Sequence, residues 1–136
     1  MPTGLAGRVT FTGALPHHQV AEWLARVTVC VYPSKTESLG IAWLEGMAMG
    51  KPCVVSATGP GPEVAEDGVS ALHVDPNDPQ AIARAAVRPL ADAPLRERLG
   101  VAARAHVLER FSAETLVPGN EACYLRCLNE GTRYDR

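Results

Sequence analysis

The chain has 136 residues, of which 46% are apolar and 21% are charged, and its formal net charge at pH 7 is −2. These values are typical of one globular domain, and they exclude the strongly basic surface by which many proteins bind nucleic acid. No apolar stretch reaches the roughly 18 residues of a membrane-spanning helix, and the first residues do not resemble a signal peptide. We therefore expect a cytoplasmic protein with no nucleic-acid or membrane partner.

The four cysteines favour the same compartment. Cys30 and Cys53 lie in apolar runs, where a free thiol packs as a small hydrophobic group. Cys123 and Cys127 are spaced for one face of a helix, but no second pair of Cys or His lies near them at ligand spacing. We therefore expect all four to be packing residues in a reducing compartment.

Apolar runs typical of strands alternate along the chain with helical patterns. The predicted strands are residues 8–13, 27–32, 53–57 and 71–74. This alternation predicts parallel βαβ units, and hence a three-layer α/β/α Rossmann-like domain with a parallel sheet of about four strands. The domain is expected to cover residues 1–130, and residues 131–136 are expected to be a disordered tail.

Two helices in this pattern have recognisable starts. The first runs from about Pro16 to Arg26 and begins with His17 and His18. Nothing nearby in the sequence completes a site with either histidine, so both are expected to be solvated or structural rather than ligands. After the last strand, Asp78 is expected to cap a helix whose first residue is a proline.

The most informative segment is PSKTESLGIAWLEGMAMGKPCVVSA, residues 33–57, in which a polar loop and a helix from Gly40 follow a strand. Thr36 or Ser38 can cap this helix, and Gly40 lets a ligand approach the backbone. The free N–H groups and positive dipole end of such a helix suit a phosphate. The apolar residues of the helix are expected to pack in the core: Trp43, Leu44, Met47 and Met49.

Two glutamates flank this predicted phosphate site. Glu37 lies on its loop side, and Glu45 lies about 7.5 Å further along the helix axis than Gly40. Carboxylates beside a phosphate are expected to accept hydrogen bonds from hydroxyls, and a nucleotide sugar has a sugar at each end of its diphosphate. The spacing alone is weak evidence, because roughly one such pair is expected by chance. The alternative is that Glu37 only stabilises the helix start and Glu45 is solvated.

The same segment resembles the donor-binding part of the retaining GT-B glycosyltransferases of family four, the glycosyl transferases group one. The matching features are a Pro-Ser pair after a strand, the E-x-x-G-I-x-x-x-E element from Glu37 to Glu45, a helix ending in G-K-P, a G-x-x-P-E turn, and D-G-x-x-A-L-x-V-x-P-x-D. A V-x-F-x-G strand precedes them. The similarity covers roughly residues 8–112 and implies most of a GT-B C-terminal lobe.

The resemblance also implies roles for single residues. Glu37 would be the catalytic residue that contacts hydroxyls of the donor sugar, and Glu45 would hold the ribose. The diphosphate would be surrounded mainly by backbone N–H groups at Ser38, Leu39, Gly40 and Ile41. The implied reaction transfers a sugar, with retention, from a UDP-, GDP- or ADP-sugar to an acceptor. No metal or other cofactor is implied, and the sequence has no D-x-D pair of the metal-dependent type.

Relatives in this family also carry an Arg and a Lys that grip the diphosphate, and an N-terminal acceptor lobe. Neither is found in this sequence, whose two lysines, Lys35 and Lys51, match no such position and are expected to be solvated. We therefore expect little or no transferase activity from the chain alone. Two alternatives stay open: a non-catalytic nucleotide-binding, anion-binding or interaction module, and one subunit of a split glycosyltransferase. The second alternative predicts a separate N-terminal lobe, or self-association, at an exposed sheet edge.

Overall fold

A computed structural model describes Gly4 and residues 7–130 of the chain. Helices and strands alternate through the first six elements, and three helices follow. In chain order they are α1 (His17–Arg26), β1 (Cys30–Tyr32), α2 (Ile41–Ala48), β2 (Cys53–Ser56), α3 (Gly61–Val64), β3 (Leu72–Val74), α4 (Pro79–Ala91), α5 (Ala93–Arg110) and α6 (Ala113–Glu130). The predicted tail, residues 131–136, lies outside the described residues.

The three strands form one parallel sheet in the order β1-β2-β3. Cys30 of β1 pairs with Cys53 of β2, and Val54 of β2 pairs with Leu72 of β3. Every residue of the central strand β2 is buried, as expected where helices cover both faces of a parallel sheet. The predicted parallel α/β architecture is confirmed.

Three of the four predicted strands are found in the described residues, whereas residues 8–13 form no strand. Val9 and Phe11 in this segment are 45% and 80% exposed. A strand is stable only when its N–H and C=O groups are paired, and no described strand lies beside this segment. The outer edge of β1 is likewise unpaired within the described residues, so β1 is an edge strand.

Helices pack on both faces of the sheet and form two hydrophobic clusters. The cluster on the α2 face includes Cys53, Val55, Trp43 and Met47. The cluster on the α4 face includes Val54, Leu72, Ala85 and Leu99. These clusters account for the three layers. Of the four apolar residues of the α2 segment predicted for the core, Met49 is exposed, because it follows the last helical residue.

Beneath α2 lies a close cluster of Cys30, Cys53 and Tyr32, and both cysteines are buried as predicted. Gly46 leaves room for the cluster: a Cβ there would lie 2.8 Å from the Tyr32 hydroxyl and 3.1 Å from Cys53 Sγ. A hydrogen bond with Cys30, together with burial, raises the pKa of Cys53, and burial raises the pKa of Tyr32. Cys53 and Tyr32 are therefore neutral packing groups at pH 7.

The last helix, α6, contributes little to the core. Its described side chains are all exposed, and they include Cys123 and Cys127. The expectation that these two cysteines are packing residues is therefore wrong. Within the described part of the chain, no helix combines the length and the apolar character needed to cross a membrane.

Three helices end at the amino edge of the sheet, where the strands begin, and a cation caps each of those ends. Positive charge at a helix C-terminus pairs with carbonyl groups that have no partner inside the helix. The donor and acceptor residues are Lys51 with Ala25 of α1, Arg104 with Ala48 of α2, and Arg96 with Pro89 of α4. Lys51 is thus bonded to the backbone rather than merely solvated.

The N-termini of α4 and α5 are capped by aspartates. Asp78 accepts hydrogen bonds from the N–H groups of Gln80 and Ala81, both at 2.9 Å, which confirms the predicted cap. Asp92 accepts from the Leu95 N–H at 2.9 Å. The bond from Ala81 lowers the pKa of Asp78, because it stabilises the ionised carboxylate.

Candidate functional site

The segment predicted to bind phosphate lies at the carboxyl edge of the sheet, where β1 ends and a loop leads into α2. Gly40 is the residue before the helix, and no side chain caps it, so the expected cap by Thr36 or Ser38 is wrong. Gly40 has a φ of 81°, which favours glycine. A Cβ there would also lie 2.6 Å from Cδ2 of Trp43. Backbone conformation and packing therefore require this glycine, whether or not a ligand approaches it.

Several consecutive backbone N–H groups at the start of α2 have no hydrogen-bond acceptor among the described residues. Among the described residues, the N–H groups of Leu39, Gly40 and Ile41 have no acceptor. The first helical hydrogen bonds begin later, from Trp43 and Leu44 to the Gly40 carbonyl at 2.9 and 3.1 Å. Three of the four predicted phosphate-binding positions therefore have a free N–H, and they are consecutive in the chain.

The fourth position differs because of Glu37, which is half-buried in the loop. Its Oε1 accepts a hydrogen bond from the Ser38 N–H at 3.0 Å, so that donor is occupied. The turn after β2 lies against the same loop, since a Cβ at Gly59 would be 3.5 Å from the Glu37 carbonyl oxygen. This turn is held by Ser56, whose hydroxyl accepts from the Thr58 N–H at 3.2 Å. The G-x-x-P-E pattern predicted a turn from Gly59 but not its contact with the Glu37 loop, although the parallel order of β1 and β2 places both strand ends at one edge.

The buried ring of Trp43 lies beneath both loops. It contacts Gly40 at the start of α2, and its Cζ3 would be 4.0 Å from a Cβ at Gly61, at the start of α3. Gly61 itself has no room for a side chain, because a Cβ would lie 2.1 Å from the Ser56 carbonyl oxygen. Trp43 is thus a core residue, as predicted, and it also supports the floor of the candidate site.

Glu45 lies in the second turn of α2 and contacts α1. Its Oε1 is 3.2 Å from Nε2 of His17, the first residue of α1. The side chains are 32% and 92% exposed, respectively, so His17 is solvated as expected. The fold nevertheless gives His17 a partner that lies far from it in the sequence. The two residues are 28 positions apart, and only the crossover topology, which brings the starts of α1 and α2 to one edge, could have indicated the contact.

The family profile described as "Glycosyl transferases group 1" matches residues 2–106 of the chain. The chain belongs to this family. The predicted resemblance is thereby confirmed, and the site described above lies inside the matched part of this group 1 chain.

Similar proteins are longer than this group 1 chain. D-inositol 3-phosphate glycosyltransferase from Streptomyces griseus is 37% identical over 134 residues, which cover 98% of this chain and 28% of that protein. Sucrose-phosphate synthase from Thermosynechococcus elongatus has a TM-score of 0.87 at 32% identity, covering 93% of this chain and 32% of its own. HepE of Anabaena, in complex with UDP, shows the same fold with a TM-score of 0.84 at 24% identity, covering 89% and 33%; the same protein was also solved with UDP-glucose.

The chain therefore spans about a third of the length of each of these relatives. This coverage agrees with the prediction that the chain corresponds to part of a GT-B C-terminal lobe.

Two further features complete the site of this group 1 chain. A groove of about 200 Å³ separates α1 from α2, and apart from His17 and Glu45 its lining is apolar: Val20, Ala21, Leu24, Ala48 and Met49. Within residues 7–130, no three His, Cys, Asp or Glu side chains are grouped as metal ligands. Metal-independent binding stays a prediction.

Proposed function

We propose that this chain is the donor-binding lobe of a retaining glycosyltransferase, and that it binds a nucleoside diphosphate sugar at the carboxyl edge of its sheet. The observation that carries the proposal is the run of unpaired N–H groups that includes Leu39, Gly40 and Ile41, with a glutamate on either side. An anion at a helix start gains about 0.3–2 kcal/mol from the dipole, and hydrogen bonds to a charged group contribute about 1.5–3 kcal/mol each.

UDP is the first nucleotide to test, because HepE, which shares the fold, was solved with UDP and with UDP-glucose. In this proposal the diphosphate lies on the free N–H groups, and Glu45 accepts hydrogen bonds from the ribose hydroxyls. Glu37 accepts from hydroxyls of the donor sugar on the other side. The apolar groove and the His17 side chain lie next to the proposed ribose position.

In this proposal Glu37 also changes partners. In the free protein its carboxylate accepts from the Ser38 N–H. When the carboxylate turns to a sugar hydroxyl, it releases that N–H, which becomes a fourth donor for the diphosphate. One side-chain rotation therefore removes a negative charge from the vicinity of the phosphate and adds a hydrogen-bond donor in its place. Donors already directed at the leaving diphosphate stabilise the charge that grows there during transfer.

We expect binding without transfer from this chain alone. It spans about a third of its relatives, and in a two-lobed enzyme the second lobe provides the acceptor site and the walls that exclude water.

Titration calorimetry tests the proposal directly. UDP, UDP-glucose, GDP-glucose and ADP-glucose are titrated into the wild type, Glu45→Ala and Glu97→Ala. Glu97 is an exposed glutamate on α5, so it serves as the matched control. We expect wild-type binding, a loss of about tenfold or more in Glu45→Ala because a charged hydrogen-bond acceptor is removed, and no change in Glu97→Ala. Absence of binding by every nucleotide sugar at millimolar concentration would sink the proposal.

A second candidate is one subunit of a split glycosyltransferase. The observation that favours it is the unpaired outer edge of β1, together with the exposed segment that contains Val9 and Phe11. Unpaired edges and exposed apolar side chains favour association with another chain or with a second copy. Co-purification of a second α/β chain, with sugar transfer only in the mixture, would support this candidate. A stable monomer that binds nucleotide sugar and gains no activity with any other chain would favour a non-catalytic binding module.

A further inference from the structure

Helix α1 is attached to the rest of the domain by few contacts. None of its residues is buried. Among the described residues, two hydrogen bonds that involve side chains connect α1 to the rest of the domain, one at each end of the helix. At its start His17 meets Glu45, and at its end the Lys51 ammonium donates to the Ala25 carbonyl at 2.8 Å. Glu45 is therefore the hydrogen-bond partner of the exposed His17 ring within the described residues.

The contact with His17 engages one carboxylate oxygen of Glu45, Oε1, and leaves the other, Oε2, without a partner among the described residues. A carboxylate only accepts hydrogen bonds, so Nε2 of His17 must carry the proton in this pair. Oε1 is the atom that His17 contacts, and no other donor to the Glu45 carboxylate is found in the described part of the chain; the Met49 N–H bonds to the Glu45 backbone carbonyl instead. A glutamate on a helix surface otherwise samples several rotamers. The histidine reduces that freedom and leaves Oε2 available to a ligand.

We infer that His17 is a positioning residue of the donor site: by donating from Nε2 to Oε1, it holds the Glu45 carboxylate so that its other oxygen accepts from the ribose hydroxyls. The inference rests on the proposed function, because it assumes that Glu45 binds the ribose. It assigns a role to a residue that is nearly fully exposed and that lies on a different helix from Glu45.

The test uses calorimetry with two probes, UDP and 2′,3′-dideoxy-UDP, which lacks the ribose hydroxyls. If His17 acts through Glu45, His17→Ala weakens UDP binding about two- to fivefold, the range of an exposed ion pair, and leaves dideoxy-UDP binding unchanged. His17→Gln retains an N–H donor near the position of Nε2, and we expect it to restore UDP affinity to within about twofold of the wild type.

Two controls separate this role from simpler ones. His18→Ala removes the neighbouring exposed histidine, and Lys51→Met releases the opposite end of α1. Both variants should bind UDP like the wild type and unfold cooperatively. If Lys51→Met weakens UDP binding as much as His17→Ala does, loosening of α1 is the cause, and the inference is overturned.

The remaining outcomes distinguish the inference from the proposed function. If Glu45→Ala weakens UDP binding while His17→Ala does not, or if His17→Ala weakens both probes equally, the role of His17 is refuted and the proposed function stands. If the wild type binds UDP and dideoxy-UDP equally well and Glu45→Ala has no effect, the assignment of Glu45 to the ribose fails, and the inference fails with it.

Discussion

The two edges of the sheet differ in whether the backbone groups at the helix ends have hydrogen-bond partners. At the amino edge, carbonyl groups at the ends of α1, α2 and α4 accept hydrogen bonds from Lys or Arg side chains. At the carboxyl edge, α2 starts without a side-chain cap, and the N–H groups of Leu39, Gly40 and Ile41 near its start have no acceptor within the described residues. Backbone groups left unpaired at a helix end are satisfied by side chains, water or ligands. The capped helix ends at the amino edge contribute stability, whereas the start of α2 at the carboxyl edge has free donors that a bound anion would satisfy.

The largest effect on stability is expected at the amino edge, from Gly100→Ala. A Cβ at this position of α5 would lie 2.3 Å from the carbonyl oxygen of Gly50, and a backbone atom cannot rotate away. We expect a loss of about 3 kcal/mol in the free energy of unfolding, measured by urea denaturation.

Gly119→Ala is the matched control, because it is also a glycine-to-alanine change within a helix. Nothing lies within 4 Å of a Cβ at Gly119. The change should therefore stabilise the chain by about 0.5–1 kcal/mol through helix propensity. Equal stability of the two variants would mean that close packing is not what holds the amino edge.

The next prediction compares Gly40→Ala with Gly50→Ala, at the two ends of α2, to distinguish an effect on ligand binding from an effect on stability. Gly40 and Gly50 both have positive φ, 81° and 66°, so replacement of either by Ala should cost about 1–2 kcal/mol of stability. At Gly40 the new Cβ also meets the Trp43 ring, whereas at Gly50 its nearest neighbour is at an ordinary 3.7 Å. We expect Gly40→Ala to weaken UDP binding about tenfold or more, because displaced N–H groups lose direct hydrogen bonds to the phosphate.

Gly50→Ala is the control for that experiment, and its UDP affinity should stay within about twofold of the wild type. Calorimetry gives the affinities, and urea denaturation shows whether the two variants are comparably folded. Equal UDP affinity in both variants would contradict the placement of the diphosphate at the start of α2.

The smallest effect on stability is expected from Asp78, whose carboxylate caps the start of α4. Its pKa is lowered by the hydrogen bond from Ala81, so the ionised cap favours the folded state. That contribution is fully present above the ordinary aspartate value of about 4, and it is lost as the pH falls through the lowered pKa. We expect Asp78→Ala to lower the Tm by a few degrees at pH 6, and we expect the difference from the wild type to shrink as the pH falls toward 2. A difference that is constant with pH would mean that the charge plays no part.

Local patterns predicted much of the fold. The strands around Cys53 and Leu72 and the cap at Asp78 were predicted correctly, because each depends on a short run of residues. The strand at 8–13 was not, since strand formation also requires a neighbouring strand, which the local pattern does not report.

The candidate site was predictable only in part, for the same reason. The start of α2 near Gly40 follows from turn and helix patterns, and the structure leaves three of the predicted N–H groups free. The partner of Glu45 could not be predicted from local patterns, because His17 is brought there by the crossover of the chain. The sequence also could not show why position 40 requires glycine, because the requirement depends on the φ value of that residue and on the nearby Trp43 ring.

The position of Trp43 also gives the chain an optical property. The sequence has two tryptophans, and Trp23 lies near the surface with the Arg26 guanidinium 5.4 Å from its ring. Trp43 is buried, and its ring lies against Gly40, just before α2, and close to Gly61, the first residue of α3. Any ligand that shifts either loop changes the surroundings of this indole, so the protein contains its own fluorophore at the floor of the candidate site. Replacement of Trp23 by Phe would leave Trp43 as the sole source of tryptophan emission, and loop movement could be followed without an added label.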